Sequence, residues 1–143
     1  MKLINHELLM LEPWTSSGQL REELFGVPPQ MRVAMLQSER SRIVLVTQHS
    51  SAMQYVTRPT PLASVSITVP GVPVSDRPFL LTPAGMKQVR GSHSAGGLRF
   101  TLEEPGLASA VVITQDPLAV THLFRNTHDA RIIVGRLKSQ LTA

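Results

Sequence analysis

Two apolar runs in the first third of the chain predict an antiparallel hairpin. The runs MRVAMLQ (31–37) and RIVLVTQH (42–49) are each long enough to form a strand. The residues between them, Ser38-Glu39-Arg40-Ser41, are polar and match a loop length that is common in hairpins. Because the two runs follow each other directly along the chain, we expect them to pair.

Alternation of apolar and polar residues further along the chain indicates more strands. The runs 63–69 and 97–103 alternate with period two, which is typical of a strand with one buried and one wet face. The run 109–115 is apolar on both faces, so we expect it at the centre of a sheet. The runs 78–82 and 86–90 flank a Pro-Ala-Gly turn and predict a second hairpin.

These runs amount to about seven strands at intervals of roughly 8–12 residues, which favours an antiparallel β-sandwich. No helix long enough for a parallel crossover separates them, so the predicted fold is mainly β. A further strand is predicted at 53–57, and the two prolines that follow it within the sequence RPTP would hold it at an edge of the sheet. Strand order stays open, since a jelly roll and an immunoglobulin-like sandwich both fit the pattern.

The two ends of the chain have a different pattern. Residues 1–28 combine short helical stretches with breakers and predict a helical or irregular lead-in to a sandwich over 29–116. At the other end, Asp116-Pro117 joins an N-cap residue to a Pro at the first helical position. We therefore expect an amphipathic helix over 117–143, with Asn126-Thr127 as a point where it could divide.

The predicted C-terminal helix carries an apolar stripe that needs a partner. Its apolar residues recur at steps of three and four, as one face of a helix requires, and basic residues occupy the opposite face. The stripe must bury against the sandwich, against a second copy of the chain, or against helices outside this chain. The residues that we assign to this interaction face are Leu123, Ile133, Leu137 and Leu141.

Composition narrows the classes of function. Of the 143 residues, 42% are hydrophobic and 17% are charged, which suffices for a packed core and excludes a disordered chain. The net charge of +4 makes nucleic acid a partner to consider, because nucleic acid is negatively charged. The basic residues are scattered, however, and aromatics make up only 4%. Nucleic-acid binding is therefore not predicted. The absence of cysteine rules out disulfides and thiolate metal sites.

The hydropathy of the chain argues against a membrane segment. No run approaches the roughly 20 apolar residues that a membrane-spanning helix needs. The N-terminus also lacks the apolar core of a signal peptide, because Asn, His and Glu interrupt it. We therefore predict neither a membrane span nor an export signal, and the cellular compartment stays undetermined.

Neither a catalytic site nor a metal site is predicted. Most of the acids have a structural account as loop, strand-end or cap residues. The five histidines form no HxH or HExxH spacing, so no metal and no other cofactor is expected. The stretch GSHSAGG (91–97) lacks the G-x-S-x-G pattern and is predicted to be a loop. Asp76 has the weakest structural account, and we expect an ion pair with the adjacent Arg77 at a turn.

Aromatic side chains decide whether the sandwich could bind sugars, because stacking on a sugar needs an exposed planar ring. The chain has one Trp and one Tyr. We expect Trp14 to be buried where the lead-in packs on the sheet, and Tyr55 to lie on the edge strand at 53–57. The candidate ligand-binding residues are Trp14, Tyr55 and Asp76.

Two stretches of the chain, RVAMLQSERSRIVLVTQH and the segment from Phe79 to Asp116, resemble the C-terminal β-sandwich modules of large bacterial glycosidase-like proteins, planctomycete ones in particular. In those modules a GG-x-x-x-x-L strand precedes an acidic Pro/Gly loop and a last strand that ends in T-x-D. The opening LLMLEPWTSSG also resembles the segment that leads into such a module. The matching positions are Gly96, Gly97, Leu102, Pro105, Gly106, Thr114 and Asp116.

The resemblance implies a non-catalytic accessory module, since the catalytic carboxylates of such proteins belong to a domain upstream. No catalytic residue carries over to this sequence. Because aromatics are few, the expected role is packing on a neighbouring domain, or forming a homo-oligomer, through the C-terminal helix. The alternative is a carbohydrate-binding module that binds polysaccharide through Trp14 or Tyr55. An enzyme would require acids from distant strands to converge in one concave pocket.

Overall fold

Two antiparallel sheets and two helices make up the described part of the chain. The computed structural model describes residues 2–21, 24, 26–49, 64–82, 85–106 and 108–142, and these residues form nine strands. The mainly β sandwich predicted from the sequence is confirmed, with two strands more than expected. The predicted edge strand at 53–57, with Tyr55, lies outside the described residues. The elements are α1 (Lys2–Thr15), β1 (Gln19–Arg21), β2 (Met31–Gln37), β3 (Ser41–Gln48), β4 (Ser64–Val69), β5 (Arg77–Thr82), β6 (Gly85–Gln88), β7 (Gly91–Ser94), β8 (Gly97–Glu103), β9 (Ala108–Thr114) and α2 (Pro117–Thr142).

The larger sheet has six strands in the order β1-β2-β3-β9-β5-β6, and the smaller sheet has three in the order β4-β8-β7. The first predicted hairpin is β2–β3, in which Met31 pairs with Gln48 and Gln37 pairs with Arg42. The second is β5–β6. Strand β9 lies between β3 and β5, so the central position predicted for it is confirmed.

The main core lies between the two sheets. In β4, Val65, Ile67 and Val69 are buried while the serines and the threonine between them are not, as the period-two pattern predicts. Phe100 and Leu102 of β8 join them from the same sheet. The buried residues that meet them from the larger sheet are Met31, Met35, Val44, Val46, Val111 and Ile113.

The larger sheet also buries its outer face. Ile43 of β3 and Val112 of β9 form a second cluster with Trp14 of α1 and Leu123 of α2. Both helices therefore pack on this face, and the molecule has three layers: the helices, the six-stranded sheet and the three-stranded sheet. Full burial of one such side chain stabilises the fold by about 1.5–3 kcal/mol.

Two of the strands correct the sequence prediction. The pattern predicts a helical or irregular stretch at Gln19–Arg21, but these residues form β1 and pair with β2. It predicts a loop at GSHSAGG, but Gly91–Ser94 form β7 and pair with β8. Both are short edge strands that are exposed along most of their length, so their sequences carry no apolar alternation.

The turn between β7 and β8 depends on glycine at position 97. Gly97 has φ of +118°, a region that residues with a Cβ rarely adopt. A Cβ at this position would also collide with the backbone of Val69 and Pro70. Gly97 therefore lets β8 begin close against the end of β4.

Helix α2 begins where the sequence predicts and does not divide. Asp116 Oδ1 accepts a hydrogen bond from the backbone N–H two residues on, at 2.9 Å, and Pro117 is the first helical residue. At the expected break, the Asn126 amide donates to the carbonyl four residues back at 2.7 Å, and the Thr127 hydroxyl donates to the carbonyl three residues back at 3.0 Å. These polar groups are satisfied on the helix itself. Neither described helix has the length and apolar content needed to cross a membrane.

Burial along the apolar stripe of α2 falls steadily toward the end of the helix. Leu123 is fully buried and Thr127 is 6% exposed, whereas Leu137 is 45% and Leu141 87% exposed. Together with the half-buried Ala130 and Val134, these positions recur at steps of three or four residues and share one side of the helix. The first half of the stripe thus covers this chain's own sheet, and the last turns extend beyond that cover. We call the last part of the stripe the α2 end face and define it as the half-buried Ile133 and Val134 and the exposed Leu137 and Leu141.

Replacing Leu123 by Ala should lower the free energy of unfolding by about 3 kcal/mol, because the side chain is fully buried between α2 and the sheet. Leu137→Ala is the matched control on the same stripe and should cost less than about 1 kcal/mol. Urea denaturation followed by circular dichroism measures both. Equal losses for the two variants would mean that the stripe is covered along its whole length.

Candidate functional site

The loop between β2 and β3, residues 38–40, separates two polar depressions at one end of the sandwich. The first, of about 670 Å³, lies between this loop, the end of α1 and the start of α2. The second, of about 410 Å³, lies between the loop and the segment that precedes β5. Trp14 borders the first and Asp76 the second, so the structure brings two of the three candidate ligand-binding residues to one loop. Tyr55 lies outside the described residues.

Trp14 fastens the end of α1 to the β2–β3 loop. Its side chain is 1% exposed, and its Nε1 donates a hydrogen bond to Ser41 Oγ at 2.8 Å. The hydroxyl oxygens of Ser38 and Ser41 lie 3.0 Å apart, so the indole joins a small polar network inside the loop. The expected burial of Trp14 is confirmed. A ring in this position has no free face on which a sugar could stack.

Asp76 is buried and forms an ion pair with a residue distant in sequence. Its Oδ2 lies 3.4 Å from Nη1 of Arg42 on β3. The ion pair expected at Asp76 is therefore present, but its partner is Arg42 and not the adjacent Arg77. Adjacent residues of an extended segment point to opposite sides, and the Arg77 guanidinium donates instead to the Val74 carbonyl at 2.8 Å.

Arg42 ties the segment 71–76 to β3. Its Nη2 donates to the Gly71 carbonyl at 3.0 Å, and its buried Nε has no hydrogen-bond partner among the described residues. Burial raises the pKa of Asp76 above its ordinary value of 3.8, and the positive charges of Arg42 and His93 oppose this shift without cancelling it. We interpret the pair as a clamp that holds the loop on the sheet.

A second carboxylate faces the same depression. Asp116 lines it together with Asp76, and two carboxylates at one concavity are what acid–base catalysis would need. Asp116 is already engaged, because its Oδ1 caps α2 and its Oδ2 lies 3.8 Å from Arg40 Nη1. The exposed Glu39 on the loop is the third acid at this rim. Since Asp76 holds Arg42 and Asp116 caps a helix, the geometry supports structural roles for both.

Two described histidines lie near these acids, since His122 lines the first depression with Asp116 and Glu39, and His93 acts on the charge of Asp76. In the described part of the chain, no three His, Asp or Glu side chains come together in a way that could hold a metal ion. His93 Nε2 lies 3.0 Å from the Pro73 carbonyl, and the His122 ring contacts Asn126 one turn along α2. The first contact joins β7 to the 71–76 segment and the second lies within α2, so both have a structural role.

An apolar groove of about 620 Å³ lies between the two helices over the larger sheet. Leu11 of α1 lines one side and Val134 of α2 lines the other, above residues of β3, β5 and β9 such as Leu81. Every described residue that lines the groove is apolar or carries a hydroxyl group, and none of them is charged. Three of the hydroxyls, those of Thr47, Thr82 and Thr127, donate to backbone carbonyls. The groove therefore presents a mainly apolar surface.

The groove and the α2 end face form one continuous apolar surface, because Val134 belongs to both. Leu137 and Leu141 of the predicted interaction face are exposed, and Ile133 is half-buried. Leu123 corrects the prediction, since it packs in this chain's own second cluster and the sheet beneath α2 already covers it. The groove was not predicted from the sequence, in which the apolar spacing of α1 is its signal.

Comparison with protein-family models and with curated proteins finds no match. Among solved structures, the chain is similar to alpha-L-fucosidase isoenzyme 2 from Paenibacillus thiaminolyticus, at 19% identity and a TM-score of 0.49. The similarity covers 76% of this chain and 17% of the fucosidase chain. This is a distant likeness to a small part of one glycosidase, and it gives no support for the planctomycete origin that the sequence resemblance implies.

Removing the acceptor of the Trp14 hydrogen bond should destabilise the fold. Ser41→Ala leaves the indole N–H buried without a partner and should lower the free energy of unfolding by about 1–3 kcal/mol. Trp14 is the single Trp of the chain, so its fluorescence follows unfolding of this region directly. Ser92→Ala on the exposed strand β7 is the control and should be neutral. A Ser41→Ala variant as stable as the wild type would show that the hydrogen bond between Trp14 and Ser41 does not hold α1 to the loop.

Asp76→Asn should change how stability depends on pH. Because burial raises the pKa of Asp76, the neutral carboxyl stabilises the fold fully below pH 3.8, and this contribution is lost as pH rises through the raised pKa. The free energy of unfolding of the wild type, relative to the variant, should therefore fall from pH 3 toward neutral pH. Urea midpoints across this range measure it. A relative gain with rising pH would mean that attraction to Arg42 outweighs burial.

Proposed function

We propose that this chain is a non-catalytic accessory β-sandwich module that packs against a neighbouring domain or subunit through its helical layer. The observation that carries the proposal is the fall in burial along one stripe of α2, from the buried Leu123 to the exposed Leu141. Apolar residues at helical spacing beyond the sheet contribute nothing to this chain's own core. They would contribute to the stability of a complex if a partner covered them.

The dimensions of the helix and the sheet support this reading. The 26 residues of α2 make a helix about 39 Å long. The larger sheet measures about 25 Å along its strands and about 25 Å across its six strands. A helix of this length extends past the sheet in either direction and is slightly longer than the sheet's diagonal of about 35 Å. The exposure of Leu137 and Leu141 marks the part that extends past the sheet.

The α2 end face alone is too small for a stable interface. A fully buried leucine contributes about 1.5–3 kcal/mol, and a specific interface usually buries about 800 Å² on each partner. The adjoining apolar groove supplies more surface of the same character. We therefore infer that a partner covers the groove and the end face together.

The two polar depressions favour a module that packs on a partner over a module that binds or transforms a small ligand. Their buried polar groups hold the β2–β3 loop, the 71–76 segment and the start of α2 in place. The carbohydrate-binding alternative needs an exposed ring, and Trp14 does not provide one. The other candidate ring, that of Tyr55, lies outside the described residues. No observation on the described residues favours sugar binding.

The double variant Leu137→Gln/Leu141→Gln should remove the apolar character of the α2 end face without unfolding the chain, since both side chains are largely exposed. The wild type should bind an apolar fluorescent dye or self-associate, and the variant should reduce that signal by at least about twofold. Leu118→Gln is the matched control, because Leu118 is 72% exposed on the other side of the same helix. A dye-silent, monomeric wild type would contradict the proposed function.

A further inference from the structure

The exposed cations next to the α2 stripe lie on one side of it. Arg131 and Lys138 are seven residues apart, so they form a row along the helix with about 10 Å between them. At about 100° per residue, this row borders the stripe formed by Val134 and Leu141. The row on the other border carries uncharged residues such as Ile133. Arg131 and Lys138 form no ion pair with any residue that the structure describes.

We propose that the partner covering the α2 end face and the groove is an amphipathic helix with Asp or Glu beside its own apolar stripe, at intervals of about seven residues. This inference rests on the function proposed above. Covering Leu137 and Leu141 brings Arg131 and Lys138 to the rim of the interface. Acidic residues opposite them would steer the partner and fix its register, as flanking charges do in paired helices.

A second copy of the chain fits this surface less well. Between Pro117 and Thr142, α2 carries four Arg or Lys residues and one acid, Asp129. Antiparallel pairing of two α2 helices along their stripes would bring the two basic rows against each other. Like charges that face each other across an interface are repulsive, so the charge pattern favours a partner of opposite sign.

An anionic membrane surface also fits less well, although basic amphipathic helices can bind membranes. The groove next to the end face is concave, with α1 and α2 as its walls. Side chains that project from a partner helix can enter such a groove, whereas a flat bilayer surface cannot reach its floor. The Leu137 and Leu141 part of the stripe also lacks the aromatic residues that favour the membrane interface.

Binding of two labelled helical peptides to the full chain tests the proposal. Both peptides carry a leucine stripe, one with Glu and the other with Gln at the flanking positions. The wild type should bind the Glu peptide about tenfold more tightly, and Arg131→Glu/Lys138→Glu should abolish this preference. Arg125→Glu/Arg136→Glu is the matched control, because it changes the net charge equally on the side of α2 away from the stripe and should keep the preference.

Several outcomes would overturn the proposal. Equal binding of both peptides, or equal effects of the two double variants, would show that the cation row does not select the partner. Dissociation of a wild-type dimer by Leu137→Gln/Leu141→Gln would identify a second copy as the occupant and leave the proposed function standing. Tighter binding to phosphatidylcholine vesicles with about a quarter phosphatidylserine than to the Glu peptide would identify a membrane. Binding of neither peptide by a chain that also binds no dye would remove both proposals.

Discussion

Both faces of the larger sheet are apolar at its centre, so other elements of the chain must cover both. Strands β3 and β9 lie side by side at its centre, and their register places Ile43 opposite Val112 on one face and Val44 opposite Val111 on the other. All four side chains are buried, and exposing any one of them would cost about 1.5–3 kcal/mol. The smaller sheet covers one pair and the helices cover the other. The three-layer arrangement follows from this constraint.

Helix α2 is the element in which structural and binding roles meet. Through Leu123 its first half completes the core that Trp14 begins, so the helix cannot leave the sheet without exposing Ile43 and Val112. This anchoring fixes the direction of the remaining turns. The α2 end face is therefore presented on a rigid element and not on a loop, which lowers the entropy lost when a partner binds.

Local structural features could be predicted from the sequence, because the residues that determine them are neighbours along the chain. The β2–β3 hairpin, the central strand β9 and the helix start at Asp116 all follow from short patterns. Features that depend on pairing between distant residues could not be predicted. The partner of Asp76 is 34 residues away at Arg42, and β1 and β7 form because a neighbouring strand edge is available to them. The apolar stripe of α2 was visible in the sequence. Only the structure shows how far along the stripe the chain's own sheet covers it.

The most direct test of this account is cysteine reactivity along the α2 stripe, which is possible because the chain contains no native cysteine. Single variants Leu123→Cys, Val134→Cys and Leu141→Cys, each checked for folding, would be treated with a thiol reagent at high dilution. The account predicts that reactivity rises in that order, with Leu141→Cys reacting nearly as fast as in the denatured chain. A Leu141→Cys thiol protected as strongly as that of Leu123→Cys would contradict the claim that the end of the stripe is left for a partner.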